Sequence, residues 1–207
     1  MATNNNNDIK KNLSVESIFK MWGHRNPYFE KQYEFGDKDR PGIIRVLTDY
    51  GSGTNKYTED KGKVLGPGYE SYIMAFFIGL YAGRKLSLSP NANDKKGFGW
   101  PIENWNGVDR NGRKKYEDLR HYMFVALVAK TDIDWLALDE GTIDPESVVS
   151  KLIDTMEEYA NYGYYVMTDK YKEDNAYFFS NRSFLDIFLE LTQPVKNAAN
   201  NTTADPI

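Results

Sequence analysis

YESYIMAFFIGLYAG, running from Tyr69 to Gly83, is the longest apolar run in the chain, and its reading decides the fold. Tyr69, Tyr72, Ile73, Phe76, Phe77, Leu80 and Tyr81 recur at the three- and four-residue spacing of one helical face. Ala75, Ile78, Gly79 and Ala82 make the opposite face small rather than polar. A helix apolar all round belongs inside a domain. This one, aromatic and interrupted by Glu70 and two glycines, is too short to cross a bilayer. Gly79 costs about 1 kcal/mol against Ala in a helix interior, which predicts a closely approaching neighbour. Gly83 predicts the stop, with Arg84 and Lys85 beside the negative end of the helix dipole.

Downstream lies a long connection, Leu86 to Lys115, of the kind that is uncommon inside a domain unless it has work to do. It carries Trp100 and Trp105, then Arg110, Arg113, Lys114 and Lys115. Two readings follow: an aromatic and basic surface for a partner or DNA, or two tryptophans that cap the core beside solvated cations. The second is favoured. Tyr116 to Lys130 reads as a mostly buried helix, with Leu119, Tyr122, Met123, Ala126 and Leu127 on one stripe and Phe124, Val125 and Val128 beside it. His121, at its polar edge, reads as structural. Asp132, Asp134, Asp139 and Glu140 surround a short helix or turn. Acids at an element start answer the helix dipole, and that reading is preferred to an acid–base or metal cluster.

Asp144-Pro145-Glu146 opens the next helix with a cap and an N-terminal proline. Its buried stripe is Val148, Val149, Leu152, Ile153, Met156, Tyr159, Ala160 and Gly163, and Lys170 to Asn175 reads as a polar connection. Ser180 or Asn181 caps a last helix with Phe184, Leu185, Ile187, Phe188 and Leu191 facing inward, stopped at Pro194. Upstream of the central helix, Ser14 to Trp22 predicts a short helix, and Ile43 to Leu47 is an apolar island that fits a strand or a helical turn. Gly51 to Lys56 is glycine-rich but lacks the ending of a phosphate loop, so it reads as a surface loop. Residues 1–11 and 194–207 read as disordered and flexible tails around one helical domain, 12–193. The expected fold is mainly α: an irregular bundle of about five helices around the buried helix 69–83, with little or no β.

Composition narrows the chemistry. The chain has 207 residues, 26 basic against 30 acidic, for a net charge of −4, which argues against bulk adhesion to nucleic acid or anionic lipid. It has no cysteine and two histidines, which removes disulfides, thiolate metal sites and cysteine nucleophiles. No catalytic set, metal site or cofactor motif is legible. The polar N-terminus lacks the basic patch and apolar core of a signal peptide, so a cytoplasmic, non-membrane protein is expected. Aromatic residues make up 14%, fifteen of them tyrosines, a composition suited to docking surfaces.

Three segments line up in order: the apolar helix from Tyr72 to Arg84 and Lys85, the Ala-rich helix from Tyr122 into the acidic turn at Asp132, and Glu157-Glu158-Tyr159-Ala160-Asn161-Tyr162-Gly163. Over residues 68–191 this order resembles the small helical proteins encoded beside Dnd-type DNA phosphorothioation and restriction genes in bacterial anti-phage islands. Members of that family often carry Gly where this chain has Tyr162. The resemblance implies a non-enzymatic accessory subunit that works by contact with other protein subunits. Within the last segment, Glu158, Tyr159, Ala160, Asn161 and Gly163 read as packing residues. Direct DNA contact through Arg84, Lys85 and the basic residues 110–115 is one alternative, and a structural protein of a phage or secreted machine is another.

Overall fold

The computed structural model of the chain describes residues 15–49, 64–106, 115–116 and 118–192. The tails, the Gly51–Lys56 loop, the expected cap at Ser14, and Arg110, Arg113 and Lys114 lie outside them. The described chain is mainly helical, with eight α-helices and one two-stranded antiparallel ribbon. Five helices are nine residues or longer: α1 (Val15–Gly23), α4 (Gly68–Ala82), α5 (Leu119–Lys130), α7 (Pro145–Glu173) and α8 (Ser183–Thr192). Three are short: α2 (Gln32–Phe35), α3 (Ile43–Leu47) and α6 (Trp135–Asp139). The chain divides into two compact units, one from residues 1–31 and 87–158, the other from 32–86 and 159–207.

In the first unit, α1 buries Ile18 and Trp22. Phe19 meets Phe124 of α5 edge-on at 5.1 Å, and Trp22 lies 5.6 Å from the same ring. Aromatic pairs at these separations add about 0.5–1.5 kcal/mol beyond their burial. The covered side of α5 is therefore Met123, Phe124 and Leu127. Tyr122 and Val125, expected inside, are 63% and 64% exposed. A sequence apolar on nearly every face could not say which side α1 would cover.

The long connection is ordered where it is described. β1 (Tyr28–Glu30) pairs with β2 (Lys95–Gly97) in the register Tyr28↔Gly97, Phe29↔Lys96, Glu30↔Lys95. A 3-10 turn at Ala92–Asp94, capped by the Asn91 side chain, leads into β2, and another at Ile102–Asn104 follows it. Phe29, Phe98 and Trp105 meet edge-on in sequence, at 5.4 and 5.6 Å, and all three are buried. Three-residue strands are too short to show a period, which is why the sequence reads here as irregular. In α6 the Asp134 carboxylate accepts the Ala137 N–H at 2.9 Å, an N-cap that answers the start of the helix.

In the second unit, α4 ends at Gly83, left-handed at φ 62°, whose N–H donates to Gly79 and Leu80 carbonyls. Its core side holds Tyr72, Ala75, Phe76, Ile78 and Gly79. The surround is not complete: Met74, Phe77 and Leu80 are half-buried and Tyr81 is 54% exposed, its ring set edge-on to Phe188 of α8 at 5.3 Å. α7 crosses α4 at backbone contact. A Cβ on Gly79 would lie 2.0 Å from the Tyr159 carbonyl oxygen, and one on Gly163 would lie 1.8 Å from that of Ala75. Ser71 Oγ, which donates to the Gly68 carbonyl, also lies 3.1 Å from the Tyr164 hydroxyl.

The expected polar connection at Lys170 is instead the last turn of α7. Tyr164, Met167 and Tyr171 continue its buried stripe at helical spacing, and that burial carries the helix to Glu173. α8 starts at Ser183, after a 3-10 turn at Tyr177–Phe179, and buries Ile187. Leu185 points outward and is 53% exposed, against expectation. The Ile43–Leu47 island is a helix, α3, with all but Arg45 buried.

Candidate functional surfaces

Of the residues singled out in the sequence, those that are described divide between the two units. Trp105 is fully buried and donates its indole N–H to the Trp100 carbonyl at 3.1 Å, whereas Trp100 itself is 57% exposed. Lys115 is exposed in the same unit. Arg84 and Lys85 are exposed in the other, and the Lys85 ammonium sits 5.2 Å above the Tyr159 ring. Asn161 donates its side-chain N–H to the Leu86 carbonyl at 3.1 Å, and its own carbonyl accepts the Tyr33 hydroxyl at 3.3 Å. With Ala160 buried and Gly163 against Ala75, that part of the motif is a packing surface; Glu158 belongs to the other unit.

Asp132, Asp134, Asp139 and Glu140 are exposed, and Asp134 is committed to its helix cap. His121 stacks on Phe19 at 4.6 Å. Among the described residues no three His, Asp or Glu side chains are grouped to hold a metal ion. No described helix is long and apolar enough to cross a membrane.

Two exposed apolar faces stand out instead. Tyr122 and Val125 share the outer side of α5, one turn apart, and beside them lies the His121 ring stacked on Phe19. Arg120, on the same helix, has its guanidinium pKa drawn down by burial and partly restored by Glu103. On α8, Leu185 and Leu189 are 53% and 47% exposed at i, i+4 spacing.

A cleft of about 70 Å³ lies in the second unit, between the turn after α2 and the end of α7. Its floor includes Tyr33, Thr168 and Tyr171, and its mouth carries Asp37, Arg40 and Lys172. Arg40 donates to the Lys172 carbonyl at 3.1 Å, capping the negative end of α7. Asp37 accepts the Asp39 and Arg40 N–H groups at 3.0 and 2.9 Å, and these bonds, with the nearby Lys172 and Arg40 charges, hold its carboxyl below the usual range. The Asp37 carboxylate and the Arg40 guanidinium are thus occupied in closing the turn and capping the helix. No family model, curated protein or solved structure matches this chain.

Proposed function

We propose that this chain is a non-enzymatic accessory subunit of a prokaryotic anti-phage defence or DNA-processing assembly, acting in the cytoplasm through protein–protein contacts. The observation that carries the reading is the outer face of α5. Tyr122 and Val125 stand in water on a helix whose opposite side is fixed by Phe124 and Leu127. Exposing both leaves apolar surface uncovered, and a tyrosine flanked by aliphatic surface is typical of a contact residue. The exposed acids at Asp132, Asp134, Asp139 and Glu140 and the His121 ring stacked on Phe19 support no comparable reading as a site. The assignment to a defence assembly rests on the resemblance of residues 68–191, and the docking role does not depend on it.

The test is co-purification with the products of neighbouring genes, comparing the native chain with Tyr122→Asp/Val125→Asp. Both positions are exposed, so stability should stay within about 0.5 kcal/mol of the native value. Loss of the complex at unchanged stability is expected, and an intact complex removes the proposed face. Salt-sensitive DNA binding that is lost on reversing Arg84 and Lys85, with no protein partner captured, would move the assignment to DNA contact.

A further inference from the structure

One side fixes α8 to the second unit. Ser183 and Ile187 are buried, and the Phe184 ring lies 5.3 Å from that of Phe178. The other side carries Leu185 and Leu189 in water, one turn apart. Phe188, half-buried beside Leu189, meets the exposed Tyr81 ring at the end of α4 edge-on at 5.3 Å. Two leucines and two aromatic rings thus make an apolar surface that runs across two helices. The charges of α8 are set against its own dipole. The Arg182 carbonyl accepts the Asp186 N–H at 2.9 Å, so its guanidinium stands at the positive end of the helix. Glu190 stands in the last turn, at the negative end, and that turn has no basic residue. Within the chain Arg182 lies 3.5 Å from Asp186, both side chains in water, and half-exposed Glu190 lies 2.7 Å from Lys170.

We propose that this face takes a second copy of the chain, the two α8 helices packing antiparallel about a two-fold axis level with Ile187. An isologous contact needs a surface complementary to itself. Leu185 and Leu189 lie equally far to either side of Ile187, so in this register each Leu185 packs on Leu189 of the other copy. The charges agree with the same arrangement. Each Arg182 approaches Glu190 and the free C-terminal carbonyls of the opposite helix, and each Glu190 approaches the opposite positive end. The two features unfavourable to an isolated α8 are therefore both answered by a reversed copy of it, whereas a parallel copy would set Arg182 beside Arg182. Tyr81 flanks the leucines at the rim of the contact. This surface belongs to the second unit, and its failure would leave the docking role of the α5 face, in the first, untouched.

Sedimentation equilibrium of the full chain tests the pairing: the mass should rise from one chain to two across about a hundredfold range of concentration. Leu185→Asp/Leu189→Asp sets carboxylates against one another in the contact and should weaken association by about a hundredfold or more, with far-UV circular dichroism unchanged. Should that variant fail to fold, Arg182→Glu, at a side chain 67% exposed, takes its place and should weaken association by about tenfold. The chain has no cysteine, so Leu185→Cys and Leu189→Cys read the orientation. Oxidised together, the two variants should form the mixed disulfide dimer faster than either dimerises alone. A chain monomeric at every concentration, as it would be if residues 193–207 or another protein covered the face, overturns the proposal. So does association that survives the charge variants unchanged, or crosslinking within each single-cysteine variant in preference to between them.

Discussion

Replacing Gly79 or Gly163 with alanine sets two physical effects against each other. Both residues are interior to helices, where alanine alone would add about 1 kcal/mol of stability through helix propensity. At the α4–α7 crossing, however, the new methyl at 79 would stand 2.0 Å from the Tyr159 oxygen and 2.8 Å from its carbonyl carbon. At 163 it would stand 1.8 Å from the Ala75 oxygen and 2.5 Å from its carbon. A Cβ is essentially never closer than 3.0 Å, so each methyl must drive the helices apart by about 1 Å at that point. Neither obstacle is a side-chain tip that can swing away. Overpacking of this kind costs about 1–3 kcal/mol, and separation also loosens Tyr72, Phe76 and Tyr164. We expect each single variant to be destabilised by about 2 kcal/mol after the propensity gain. The double variant should lose less than the sum, because helices already parted by one methyl have room for the second.

Urea unfolding followed by far-UV circular dichroism is the suitable assay. The four tryptophans, Trp22, Trp100, Trp105 and Trp135, all belong to the other unit, so indole fluorescence reports elsewhere. Alanine variants equal to or more stable than the native chain, as propensity alone dictates, would refute the backbone-contact crossing. A strictly additive double variant would refute the shared gap.

Other perturbations follow from single contacts. Asp134→Ala removes the acceptor of the Ala137 N–H and should cost about 1 kcal/mol, seen as faster amide exchange confined to α6. Trp105→Ala empties a fully buried site and should cost about 3–5 kcal/mol, whereas Trp100→Ala, at a residue 57% exposed, should cost far less; thermal unfolding of the pair reads the contrast.

The helical class and the longer helices were legible because they rest on repeated apolar spacing and on punctuation such as Gly83 and Pro145. Gly79, costly by propensity alone, announced a close neighbour, and Tyr159 is that neighbour. What stayed hidden depends on which faces meet. α5 is apolar on most sides, so nothing local distinguishes the side covered by Phe19 and Trp22 from the side holding Tyr122 and Val125. The ribbon could not be read because each strand is three residues long and its partner is far along the chain. The two tryptophans of one short segment divide between core and water, which their common environment in the sequence does not announce.

A photo-crosslinking residue placed at Tyr122 in the native assembly, with one at exposed Ser150 of the same unit as the control, tests the docking account most directly. The account predicts crosslinks from position 122 to a single partner subunit and none from 150. An intact assembly in which position 122 stays uncrosslinked would contradict it.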